Sequence, residues 1–164
     1  MKTFQNLLVW KKAHQVVLGT YQLTRPFPAE ERYGLTQQMR RAAVSIAANI
    51  TEGHRRKSKA EFLRFLDIAH GSLDELQYYF VLSADLRYLD PAIGPRPWPG
   101  APSAVLQRTG ERDVRPTRGV VEGATGLPVG LHSSVVRHTI ELAEEVGRML
   151  NGLKRHVQRE VRHD

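Results

Sequence analysis

The side chains most able to do chemistry in this 164-residue chain are cations clustered around two points. Arg55-Arg56-Lys57-Ser58-Lys59 is the densest group, and Arg64 follows about one helical turn later. Lysines and arginines beside the free amides of a helix start suit a phosphate, because both supply positive charge and N–H donors. The plainer reading of this group is a solvated corner that keeps the protein in solution. Arg40-Arg41 is the second group. It is open to a structural role, pairing with Glu52, Asp67 or Glu75, as readily as to a nucleic-acid contact. Lys11-Lys12 and the series Arg155, Arg159, Arg162 read as exposed basic faces, and the last lies near a helix C-terminus where cations are favoured anyway.

Catalytic constellations are weak by comparison. Asp67-x-x-His70 places two metal-ligand types on one helix face, but a di-metal bundle needs a second such motif and carboxylates from two further helices. Glu144 and Glu145 have no histidine at the matching spacing. No Gly-rich phosphate loop is followed by Lys and Ser or Thr, and there is no cysteine to act as nucleophile, thiolate ligand or disulfide. The expectation is a binding protein, not an enzyme, with no catalytic residue, metal or cofactor.

Composition agrees with binding to a polyanion. Lys and Arg number 24 against 17 Asp and Glu, a formal charge of +7, which attracts phosphate backbones through long-range fields and counterion release. A 41% hydrophobic content suffices for a core. No stretch approaches the ~18 apolar residues of a membrane span and no export signal is evident, so a cytoplasmic protein without a membrane partner is expected.

Four amphipathic stretches position these residues. Leu7, Trp10, Ala13, Val17 and Tyr21 recur at helical spacing until Pro26 and Pro28 forbid continuation. A second stripe, Leu35, Met39, Ala42, Ile46 and Ile50, lies in a helix expected from about Glu30, rich in alanine and closed by Gly53 as a C-terminal stop. Ser58-Lys59-Ala60-Glu61 reads as a capping box for a third helix running to about Leu89, with the seam Phe62, Leu66, Ala69, Leu73, Leu76 and Phe80. Gly71 interrupts that helix, a place for close packing. Residues 91–131 then hold seven of the nine prolines and seven of the thirteen glycines, and five arginines against three acids. Such density supports neither helix nor sheet. The fourth stripe, Leu142, Val146, Met149, Leu153 and Val157, belongs to a helix expected from Ser133 or Ser134. The fold class is therefore all-α, an antiparallel up-down-up-down four-helix bundle: helices 1–3 over residues 1–90, an irregular Pro/Gly-rich connection over 91–131, and helix 4 over 132–164. Asn49 and Glu52 are polar residues in an apolar helix and are expected to pin helix packing or a subunit interface.

Residues 8–14 (LVWKKAH), 40–53 (RRAAVSIAANITEG), 58–66 (SKAEFLRFL) and 147–153 (GRMLNGL) together resemble the bacterial four-helix bundle proteins known as 23S rRNA intervening-sequence proteins. That family includes accessory proteins of diversity-generating retroelements. The resemblance implies a bundle that assembles with itself into a ring, often a pentamer. It also implies, through the retroelement relatives, a basic surface offered to RNA or DNA and to a reverse transcriptase. Family members join helices three and four by a short turn, whereas here roughly forty residues intervene, against the 2–8 usual in bundles. Either a genuine insertion or a stretch read from an unintended frame accounts for them.

Two functional expectations follow. One is an oligomeric accessory bundle binding nucleic acid through Arg55, Arg56, Lys57, Lys59, Arg64, Arg40 and Arg41. The other is a self-assembling scaffold for a protein partner, motivated by an aromatic and apolar surplus that includes Trp10, Tyr78, Tyr79 and Tyr88. In either, Trp10, Asn49, Glu52 and Tyr79 are expected to serve structure or interface.

Overall fold

The computed structural model describes residues 3–89, residue 94 and the helix 129–163, whose side chains are described over 133–161. Among the described residues it is all-α, with four helices: α1 (Leu8–Leu23), α2 (Leu35–His54), α3 (Lys59–Asp85) and α4 (Val129–His163). Two short 3-10 turns, Phe4–Asn6 and Ala29–Tyr33, precede α1 and α2. The irregular connection expected over 91–131 lies outside the described residues, except Gly94 and the first turn of α4. That helix begins at Val129, ahead of the expected serines.

The four helices form a bundle in which α1 packs on α2 and α4, and α3 packs on α2 and α4. Paired contacts set the register. Between α1 and α4, Lys12 meets Glu145 and Gly19 meets Thr139; between α3 and α4, Lys59 meets Glu160, Asp67 meets Lys154 and Leu73 meets Gly147. Between α2 and α3, Met39 meets Ser83, Ser45 meets Ser72 and Gly53 meets Phe62 and Phe65. In each pair residue numbers rise along one helix as they fall along the other. The core these contacts enclose centres on Leu23, Met39, Ile46, Ile50, Leu66, Leu73, Leu76, Phe80 and Leu150, all fully buried.

The stripes expected on α2 and α3 are the buried faces, with Phe62 at the margin. On α1 the phase differs. Val9, Ala13, Val16, Thr20 and Leu23 face the core, while Tyr21 is 44% exposed. Apolar residues occur on both sides of this helix, so spacing alone fits two phases. Thr20 is tolerated inside because its hydroxyl donates to the Val16 carbonyl at 2.8 Å.

Helix ends also differ from expectation for identifiable reasons. The helix expected from Glu30 is a 3-10 turn that breaks at Gly34, and α2 starts at Leu35. Glu31 caps it, one carboxylate oxygen accepting the Leu35 amide at 2.8 Å, where helix-end donors and the dipole favour an anion. The other oxygen accepts the Tyr88 hydroxyl at 3.1 Å. Gly53 is not a stop. It is a buried helical residue whose missing side chain admits α3, since a Cβ there would lie 2.7 Å from Phe65 Cβ. Gly71, by contrast, is exposed with open space beside it, so it serves no close packing. Ser58 does cap α3, its hydroxyl accepting the Glu61 amide at 3.4 Å. That helix ends earlier than Leu89 in a Schellman motif, with Tyr88 N–H donating to the Ser83 carbonyl at 2.9 Å and Arg87 N–H to Ala84 at 3.1 Å. Arg87, at φ 60°, occupies the left-handed position usually given to glycine.

No described helix is long and apolar enough to cross a membrane.

Candidate nucleic-acid interface

The turn between α2 and α3 gathers five of the expected cations, but they are not equivalent. Arg55 is the C-cap of α2 and is exposed, as are Lys57 and Arg64. Among the described residues none of these three pairs with a carboxylate. Arg56 is restrained: its guanidinium pairs with Glu52 one turn back and lies 4.9 Å over the Phe65 ring. Lys59 reaches across to α4, 3.8 Å from the Glu160 carboxylate and 3.4 Å from its carbonyl oxygen. The corner thus offers three free cations and two committed ones. Lys59 also ties the C-terminal part of α4 to this end of the bundle. Arg155 and Arg159, which sequence reading leaves as a separate basic face, are therefore brought to the same end as Arg55. The contact between residues 101 positions apart fixes this placement, which an antiparallel bundle also implies.

Arg40 and Arg41 sit about one and a half helical turns from the N-terminus of α2, away from the corner. Arg40 does not take an acid as partner. Its Nε donates to Thr24 Oγ1 at 3.0 Å, and its guanidinium lies 4.7 Å over the Tyr21 ring. Thr24 is in turn held by donating to the Thr20 carbonyl at 2.8 Å. Arg41 is exposed. It lies near Tyr79, whose hydroxyl donates to Glu75 at 2.9 Å. That carboxylate, aided by partial burial, raises the Tyr79 pKa, and the positive charge of Arg41 opposes the rise. Burial and the Glu31 carboxylate raise the Tyr88 pKa in the same sense.

The residues expected to serve structure divide similarly. Asn49 belongs to a polar link between helices: its amide donates to the Ser45 carbonyl at 2.8 Å and to Ser45 Oγ at 3.1 Å, and Ser45 Oγ meets Ser72 Oγ at 2.8 Å. Glu52 is exposed and engaged with Arg56. Trp10 is half-buried, edge-on to Phe4 and stacked on His14. Tyr79 is half-buried, while Tyr78 beside it is 59% exposed.

The Asp67-x-x-His70 pair turns to separate partners. Asp67 is 2.5 Å from Lys154 Nζ, and His70 Nδ1 is 3.3 Å from Asp74. Among the described residues no group of three or more metal-ligand side chains converges.

Comparison with known proteins fits this architecture. Residues 5–94, spanning α1 to α3 and more than half of the chain, match the family model described as 23S rRNA-intervening sequence protein, and α4 lies beyond the match. No curated protein matches the chain. By that match over its first three helices, the chain belongs to the 23S rRNA-intervening sequence protein family.

Proposed function

We propose that this protein is a non-enzymatic, cytoplasmic accessory protein, an up-down-up-down four-helix bundle that assembles with itself and binds RNA or DNA through its basic surface. The observation that carries the reading is the set of uncommitted cations at the α2–α3 corner. Arg55, Lys57 and Arg64 are exposed and unpaired among the described residues, and the α4 cations Arg155 and Arg159 lie at the same end. Lys12 and Lys154 are paired with acids on neighbouring helices, whereas at this corner three cations stay unpaired beside the committed Arg56 and Lys59. Free cations at a helix junction act on a phosphate backbone without reading bases. The family name adds an association with ribosomal RNA genes. A reverse transcriptase is a further proposed partner, and a ring such as a pentamer would repeat the corner and add avidity.

Fluorescence anisotropy with labelled RNA and DNA across a salt series tests this. Binding should fall steeply with salt. Arg55→Glu with Lys57→Glu should weaken it for every sequence and flatten the salt slope by about one for each phosphate no longer neutralised. No binding at low salt ends the proposal.

A second reading has its own support. The outer faces of α2 and α3 expose Val44 (43%), Ile68 (42%) and Tyr78 (59%), apolar surface that one bundle leaves uncovered. On this reading the protein is a scaffold for itself and a protein partner, without nucleic acid. Light scattering that gives a monomer at every concentration excludes it.

A further inference from the structure

Where the outer side of α2 meets the end of α1 and the Ala29–Tyr33 turn, an open cleft of about 510 Å³ is lined by Tyr21, Arg32, Tyr33, Arg40, Arg41 and Val44 among others, with no carboxylate in its wall. Three arginines lining one open space with no acid in the wall make a local excess of positive charge that favours an anion. Arg40 is held in place there by Thr24 and the Tyr21 ring, so its guanidinium is positioned before any ligand arrives. Tyr33 is 81% exposed, and its ring adds nothing to the core. A phosphate answers the arginines, and a flat aromatic base answers the tyrosine. A nucleotide supplies both on one molecule.

We infer that this cleft seats one unstacked nucleotide of a single strand, with Arg40 and Arg41 on its phosphate and Tyr33 on the face of its base. The inference rests on the nucleic-acid reading above and narrows it, because a duplex keeps its bases paired and cannot offer one to Tyr33. The geometry of α2 extends the site. Arg41 and Arg55 are fourteen residues apart, which returns the helix to within about 40° of the same face and separates them by about 21 Å. A strand seated in the cleft and running along α2 therefore reaches the corner cations. At about 3.4 Å per stacked nucleotide, about six nucleotides cover that distance.

The test compares a single strand with a duplex of equal length by anisotropy, using wild type, Tyr33→Ala and the Arg55→Glu, Lys57→Glu double variant. Tyr33 is exposed enough that its loss leaves the fold intact, which circular dichroism verifies. Wild type should prefer the single strand, and Tyr33→Ala should weaken single-strand binding roughly tenfold while leaving duplex binding unchanged. The double variant should weaken both. A strand carrying 5-iodouridine should crosslink to the tryptic peptide 33–40. Equal affinity for both forms, indifference to Tyr33→Ala and crosslinks elsewhere overturn the inference, while binding that the double variant abolishes keeps the broader reading. Absence of binding to either form at low salt overturns both.

Discussion

Gly53→Ala is the substitution whose outcome the packing determines most directly. An alanine methyl at this position would sit 2.7 Å from Phe65 Cβ and 2.9 Å from Phe62 Cδ2, where ordinary contact needs 3.4–4 Å. Phe65 Cβ is one bond from the backbone, so no side-chain rotation moves it away. The start of α3 must instead shift outward, disturbing the Arg56–Phe65 contact and the Ser58 cap with it. Overpacking of this kind costs about 1–3 kcal/mol. Against it stands the better helix propensity of alanine, worth about 1 kcal/mol at an interior helical site. Because the obstacle is close to the backbone, the upper half of the overpacking range applies, and the net effect is a destabilisation of about 1–2 kcal/mol. Gly71→Ala is the matched control, a helical glycine with nothing within 4 Å of its missing Cβ. There only helix propensity acts, and stability should rise by about 0.5–1 kcal/mol. Urea unfolding followed by circular dichroism, at one protein concentration, measures both. For a chain of this size each kcal/mol moves Tm by about 2–4 °C. A Gly53→Ala protein as stable as wild type would mean that α2 and α3 do not approach closely at this end, and would refute the packing argument for the corner.

Three further outcomes follow from local geometry. Arg87→Gly places the residue suited to φ 60° at the end of α3 and should stabilise the protein by about 0.5–1 kcal/mol in the same urea assay, with no change in binding. Ser58→Ala removes the hydroxyl that accepts the Glu61 amide and should cost about 1 kcal/mol. The raised Tyr88 pKa favours the neutral phenol in the folded state, so its stabilising contribution is complete below the unfolded value of about 10 and is lost as pH rises through the higher folded value. Tyr88→Phe should therefore be less stable than wild type at neutral pH, and thermal melts should show that deficit shrinking above about pH 10.

The seams of α2 and α3 are legible in the sequence because their core residues keep one helical phase. On α4 the expected stripe is buried at Leu142, Val146 and Val157, half-buried at Met149 and Leu153, and misses the fully buried Leu150. On α1, apolar residues flank both faces, and Thr20 is buried by satisfying its hydroxyl locally, which no hydropathy pattern encodes. Glycine is legible as punctuation but not as contact. The role of Gly53 becomes visible only once Phe65, on the next helix, is packed against it. The end of α3 is hidden because arginine fills a position where a helix stop usually shows glycine. The cation clusters are legible as clusters, yet their availability is not. Lys59 is engaged by Glu160 and Arg40 by Thr24 and Tyr21, partners set by how the helices meet.

That last distinction explains where the charge goes. Every described ion pair between helices involves α4: Lys12 with Glu145, Lys154 with Asp67 and Lys59 with Glu160. From Leu35 to Lys57, by contrast, α2 and its turn carry five cations and the single acid Glu52, a formal +4 of the chain's +7. Glu52 is used by Arg56 one turn away, and Arg40 is held by a hydroxyl and a ring, partners that fix a guanidinium without cancelling its charge. Had Arg40 been anchored by a carboxylate, the helix would be equally well held and the face would lose one unit of field. The α4 seams include interhelical ion pairs, whereas α2 meets its neighbours through Met39, Ile46, Ile50 and its alanines, a Ser45–Ser72 hydrogen bond and the gap at Gly53. A helix packed by neutral groups keeps its cations for solvent, and that is why the outer face of α2 is where the proposed nucleic-acid binding is to be tested.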